Sequence, residues 1–273
     1  MARTVVVGID GTASSHEALI WAAETARSRR DELEIVYALG IPGANMDLLY
    51  DDAVNQTAEE LLAAESVRAL EVAPGLTLRT TLSRRVPGQA LTEASAHAAL
   101  VVVGSRPLGA LERVVSGSLS YQVAAGALCP VVVVPSGTGT DGVGVVVGVD
   151  GSPDSLEAVA LAAAEADRSG QELTVVHAWR PPRTTSRAEG AQEREHVLLA
   201  ESVAGLSERY PDLVVNRRIV SRQAAQALLE AAKSARLLVV GSRGREGVAR
   251  MLLGSVSHTV VLHATCPVLV VRT

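Results

Sequence analysis

The chain contains no phenylalanine, and all aromatic residues together make up 2% of it. Its core must therefore be built from aliphatic side chains. Stacking of bases on aromatic platforms, a main device for holding single-stranded nucleic acid, has almost nothing to work with. Lysine is nearly missing too, since Lys233 is the only one. A Walker A loop needs Gly-Lys-Ser/Thr, so that phosphate-binding device is excluded. Cysteine occurs twice, at Cys129 and Cys266, each before a proline and without ligand-like spacing. Small, reduced, buried side chains are expected there. The formal net charge of -5 offers no broad basic face for nucleic acid. No apolar run approaches the roughly 20 residues that span a bilayer. Met1-Ala-Arg3 leads straight into a strand-like run, so no secretory leader is expected. These absences point to a cytoplasmic chain with neither a membrane nor a nucleic-acid partner.

Catalytic signatures are missing as well. There is no Gly-x-Ser-x-Gly elbow, no His-Glu-x2-His and no Cys-x2-Cys. The histidines are scattered and none forms a ligand pair with an acid, so no metal site and no catalytic residue is assigned. His177 ends a strand-like run, where it serves either as a pocket wall or as a packed strand-end residue.

What the chain does have is aliphatic bulk and an internal duplication. Hydrophobic residues make up 48% of its 273 positions. Continuous Val-rich runs suit parallel strands buried on both faces between Ala-rich helices. The first run reads Thr4-Val-Val-Val-Gly-Ile-Asp-Gly11, and a second reads Gly144-Val-Val-Val-Gly-Val-Asp-Gly151. Val102-Val-Gly-Ser-Arg106 returns as Val239-Val-Gly-Ser-Arg243, and Gly117-Ser118 as Gly254-Ser255. A repeat this long means two domains, at 1–136 and 143–273. The polar, glycine-rich Pro135–Gly142 joins them.

The periodicity predicts, in the first half, strands at 4–9, 33–39, 76–83, 100–104 and 131–134 and helices at 14–29, 51–71, 88–98 and 117–127. In the second half it predicts strands at 143–149, 172–178, 213–220, 237–241 and 267–271 and helices at 153–169, 189–209, 222–235 and 254–264. This alternation means an α/β fold of two tandem, doubly wound, parallel five-stranded sheets. Arg180–Arg187 breaks the pattern and reads as an exposed loop.

The most informative stretch is Gly241-x2-Gly244-x9-Gly254-Ser255, between a strand and a helix start. Gly241 and Gly244 lack Cβ, so backbone can approach a ligand closely and a positive φ is open to it. Gly254-Ser255 opens a helix, whose free N–H groups and dipole favour phosphate. Arg243, Arg245 and Arg250 add positive charge nearby. Together they look like a phosphate cradle.

This pattern resembles the nucleotide-binding motif of the ATP-binding universal stress proteins, and the resemblance covers nearly the whole chain as two copies. It implies the universal stress protein fold, akin to the adenine-nucleotide α-hydrolases, with strand order 3-2-1-4-5. It implies that ATP, with Mg²⁺ on the phosphates, is bound in the second half by Val149, Asp150 and Ala178 at the nucleoside. Gly241, Arg243 and Gly244 would then run along the ribose and phosphates, and Gly254, Ser255, Val256 and Ser257 would hold phosphate oxygens. The counterparts in the first half are Asp10, Ala38, Gly104, Gly117, Ser118 and Ser120.

The first copy departs at one position: Pro107 stands where the second has Gly244. Proline has no N–H and a fixed φ, so the first site is expected to be weaker. The apolar last strand of each half would otherwise be an open edge, so the halves are expected to pack as a pseudo-dimer. A homodimer of whole chains is left open. The function read from this is a nucleotide-dependent stress regulator with an unidentified protein client. The alternatives are an ATPase or phosphotransferase on the same scaffold, with slow hydrolysis, and a nucleotide-free interaction module.

Overall fold

The computed structural model describes residues 3–40, 48–105, 119–137, 142–180, 190–245 and 253–272. The chain divides into two compact units, Met1–Thr138 and Gly139–Thr273.

The first unit runs β1 (Thr4–Ile9), α1 (Ala13–Arg29), β2 (Glu32–Ala38), α2 (Leu48–Val72), β3 (Leu78–Ser83), α3 (Pro87–Ala94), β4 (Leu100–Ser105), α4 (Leu119–Gly126) and β5 (Val131–Pro135). Its strands are parallel, in the order β3-β2-β1-β4-β5. The second unit repeats the plan with β6 (Val145–Gly148), α5 (Pro153–Ser169), β7 (Leu173–Ala178), α6 (Ala191–Ser202), α7 (Leu206–Arg209), β8 (Val215–Val220), α8 (Ala224–Ala231), β9 (Leu237–Gly241), α9 (Ser255–His263) and β10 (Val268–Val271). Its order is β8-β7-β6-β9-β10, again parallel throughout.

The strands form where valine and leucine run without interruption, because a parallel strand is covered on both faces. Every residue of β9 and β10 is buried. Alanine lets the helices lie close to the sheet: Ala158, Ala162, Ala163 and Ala166 are the buried face of α5, and α5 packs on β6 and β9.

Three expected helices differ. The helix expected over 88–98 is α3, which stops at Ala94. The helix expected over 189–209 is broken into α6 and α7, with Gly205 between them in the left-handed region at φ 77. The helix expected over 222–235 stops at Ala231, and the Ala232 N–H returns to the Leu228 carbonyl. The Arg180–Arg187 loop lies outside the described residues beyond Arg180.

In the second unit the chain moves outward from β6 through β7 to β8, then crosses back to lay β9 on the other side of β6. That reversal lies between β6 and β9, where Val147 pairs with Val239. In doubly wound sheets the loops leaving such a pair diverge and open a crevice beyond the carboxyl ends.

Candidate functional site

The crevice exists in the second unit as a cavity of about 560 Å³. All ten second-half residues singled out above line it: Val149, Asp150, Ala178, Gly241, Arg243, Gly244, Gly254, Ser255, Val256 and Ser257. They come from the carboxyl ends of β6, β7 and β9 and from the start of α9. Val240 and Leu228 add apolar wall, and Trp179, Arg180 and Glu195 also face it.

Asp150 fastens the loop after β6 to the loop after β9. Its Oδ1 accepts from Ser152 N at 2.9 Å and Ser152 Oγ at 2.6 Å, and its Oδ2 accepts from Arg245 N at 3.0 Å. Burial alone would push this carboxyl up. The hydrogen bonds from Ser152, from the Arg245 N–H and at Ser155 outweigh it and hold the group below the ordinary value. Ser152 in turn caps α5, its Oγ accepting from Ser155 N at 3.3 Å.

The glycines are explained differently from the expectation. Neither Gly241 nor Gly244 adopts a positive φ. A Cβ at Gly241 would stand 2.8 Å from the Asp154 carbonyl carbon, so glycine lets the N-terminus of α5 close on β9. A Cβ at Gly244 would stand 2.6 Å from Asp150 Oδ2. Glycine at 244 therefore makes room for the Asp150 carboxylate.

The start of α9 lines the cleft as well. Gly254 is its N-cap, with φ -69 and ψ 159 and no side-chain cap. This leaves the N–H groups of Ser255, Val256 and Ser257 without intrahelical partners, at the positive end of the helix. The Gly254 N–H donates to the Ser242 carbonyl at 2.8 Å, which ties this turn to the loop after β9. The Ser257 hydroxyl is already donated to the Gly241 carbonyl at 2.6 Å, so Ser257 offers its backbone N–H rather than its O–H.

His177 is buried between two acceptors. Its Nδ1 lies 2.8 Å from the Val149 carbonyl and its Nε2 lies 2.6 Å from Glu195 Oε2. A carbonyl only accepts, so Nδ1 donates to it, and Nε2 faces the Glu195 carboxylate. The ring thus links the residue after β6 to α6. Sequence reasoning missed Glu195, which pairs across 18 residues. It also missed Asp154, whose contacts lie 88 residues away. The only sequence sign of Asp154 is an acid in the first turn of α5.

The first-half candidates are placed less completely. Asp10 follows β1 and accepts from Thr12 N at 3.0 Å, repeating the Asp150 turn. Ala38 ends β2, Gly104 lies in β4, and Ser120 is buried in α4. Gly117, Ser118, Pro107 and, in the second half, Arg250 lie outside the described residues. Among the described residues no cluster of three or more His, Cys, Asp or Glu could hold a metal ion, and no helix is long and apolar enough to cross a membrane.

Comparison with known proteins agrees with this architecture. The profile of the Universal stress protein family matches residues 1–135 and 144–272. A universal stress protein of Mycolicibacterium smegmatis is 38% identical over 98% of this chain and 96% of its own length. A universal stress protein of Mycobacterium tuberculosis is 37% identical over the same shares. The crystal structure of a universal stress protein from Archaeoglobus fulgidus superposes with a TM-score of 0.77 at 20% identity, covering 98% of both chains, a likeness of fold. With two matches that together span almost every residue, the chain belongs to the universal stress protein family.

Proposed function

We propose that the second unit binds ATP, with Mg²⁺ carried on the phosphates, and that the protein acts as a nucleotide-dependent regulator in the stress response of the cytoplasm. The observation that carries the binding reading is the mixed lining of the cleft. The start of α9, whose first N–H groups have no intrahelical partners, lines it together with Arg243 and Arg245. Apolar Val149, Val176, Leu228 and Val240 line it too. An anion prefers the helix start and the arginines, and an uncharged ring fits against the apolar side chains. A ligand with a charged chain on a flat heterocycle suits both. The regulatory role rests on family membership.

Binding is favoured over turnover by the state of Asp150, which lines the cleft, and of Asp154, which is buried beyond Ser152 in the sequence. Asp150 and Asp154 each accept hydrogen bonds from fixed protein donors. Neither stands ready to collect a proton or a metal ion, so Mg²⁺ belongs on the phosphates. Hydrolysis, where it occurs, is slow.

The test is Gly254→Asp. The backbone at 254 is already in the extended region that an N-cap aspartate adopts, and the nearest atom to a new Cβ is 3.4 Å away. Aspartate there caps α9, a gain of about a few tenths of a kcal/mol over glycine. Its carboxylate also occupies the N–H groups meant for phosphate. The variant should therefore melt at or above the wild-type temperature and lose the ATP-induced rise that the wild type shows. Wild-type ATP affinity in Gly254→Asp, measured by titration calorimetry, would sink the reading.

A further inference from the structure

Asp154 lies in the first turn of α5 with 5% of its surface exposed. An acid there has a general reason to exist, since it faces the positive end of the helix dipole. Capping does not explain it, because Ser152 already caps α5. Instead Oδ2 reaches across to the end of β9. It accepts from Ser242 Oγ at 2.7 Å and from Arg243 N at 3.2 Å, and it stands 3.6 Å from Arg243 Nε. One buried carboxylate thus holds the backbone and the guanidinium of an arginine that lines the cleft. In the first unit the equivalent position is Ser14, a neutral side chain whose Oγ lies 3.1 Å from Thr12 Oγ1.

We propose that Asp154 is a positioning residue that presets Arg243 for the phosphate chain, and that it makes the second-unit cleft selective for phosphorylated ligands over the bare nucleoside. The proposal rests on the nucleotide-binding reading. An arginine side chain has large rotamer freedom, and ordering it on binding opposes affinity. A charged partner that orders it beforehand removes that cost. Contact at Nε engages one of five guanidinium donors, so phosphate recognition is kept. The carboxylate also subtracts positive charge from the cleft. Preorganisation and charge subtraction therefore predict opposite effects of its removal, which makes the proposal decidable.

The experiment compares wild type, Asp154→Ser and Asp154→Asn in the full chain. Titration calorimetry is run with ATP, adenosine and inorganic tripolyphosphate. Solvent exchange of the Arg243 Nε–H is followed by nitrogen-15 NMR. Asp154→Ser should weaken ATP and tripolyphosphate about tenfold and leave adenosine unchanged, the loss of roughly one charge-assisted contact. Asp154→Asn keeps an acceptor for Ser242 and should fall between the two. Parallel weakening of ATP and adenosine would mean that Asp154 acts only on the fold. Unchanged or tighter ATP binding would mean that charge subtraction wins. Either result overturns the proposal. If wild type binds none of the three probes, the nucleotide reading fails, and the exchange rate then decides separately. Faster Arg243 Nε–H exchange in Asp154→Asn supports the positioning role, and equal rates remove it.

Discussion

A carboxylate in the middle of a parallel strand is an expensive choice unless every oxygen is met. Glu34 in β2 is buried, and Arg79, Thr81 and His97 meet it at 2.6, 2.8 and 2.8 Å. Burial pushes this carboxyl up, and the three partners, with the charge of Arg79, more than reverse that, so it ionises below its usual value of 4.5. The sign follows from linkage. A folded pKa below the unfolded one contributes stability above pH 4.5, and that stability is lost as pH falls through the folded value. Glu34→Gln should therefore flatten the acid limb of the stability curve, checked by urea denaturation at neutral and acid pH. Its cost at neutral pH is about 1–3 kcal/mol rather than that of a fully buried pair, because Arg79 and His97 are about half exposed and regain water. Cys129 and Cys266 behave oppositely: burial pushes both thiols up to about 11. At pH 8 only about one thiol in a thousand is then thiolate, so a thiol reagent should label neither cysteine in the native protein at an appreciable rate and should label both rapidly in denaturant.

At the scale of elements, local composition is most legible where both faces are buried. β1, β9 and α5 fall on the expected residues, because continuous Val/Leu runs and a Ser-Pro helix start each have one ready interpretation. The α6–α7 break was not legible. Val203-Ala-Gly205 continues a helical pattern, and only tertiary packing decides whether a glycine there is carried through the helix or turns it. The glycine motif pointed to the crevice, yet its reasons are contacts across the fold. Gly241 admits the start of α5, and Gly244 admits Asp150. This distinction has a measurable consequence. At Gly241 the obstructing atoms are backbone atoms of Asp154 and Ser155 at 2.8 and 2.9 Å, which cannot move aside as a side chain could. Gly241→Ala should cost about 1–3 kcal/mol of stability by chemical denaturation. Gly254→Ala, whose new Cβ meets nothing closer than 3.4 Å, should cost less.

At the scale of the whole molecule, duplication supplies two copies of one plan, and the copies differ at residues that build the second-unit cleft. Pro107 stands opposite Gly244, Leu108 opposite Arg245, Ser14 opposite Asp154, and Tyr37 opposite His177. Each substitution removes a feature of the second-unit cleft: room for the carboxylate of Asp150, a cation, the anchor of Arg243, and the brace to Glu195. The Asp10 turn and Gly104 remain, and Arg106 stands opposite Arg243 in sequence, so the first half keeps the frame of a site but lacks the cation at 245 and the acid at 154. Losing one charge-assisted contact costs roughly 1.5–3 kcal/mol, which is about a ten- to hundredfold difference in affinity. Calorimetric titration should accordingly find close to one tight ATP site per chain, with any second site filling only at much higher nucleotide. Gly254→Asp should remove the tight phase, and Gly117→Asp should leave it nearly intact. Two equal sites in the wild type, or equal losses from the two substitutions, would mean that the first half tolerates Pro107 and Ser14 and that neither Gly244 nor Asp154 governs affinity.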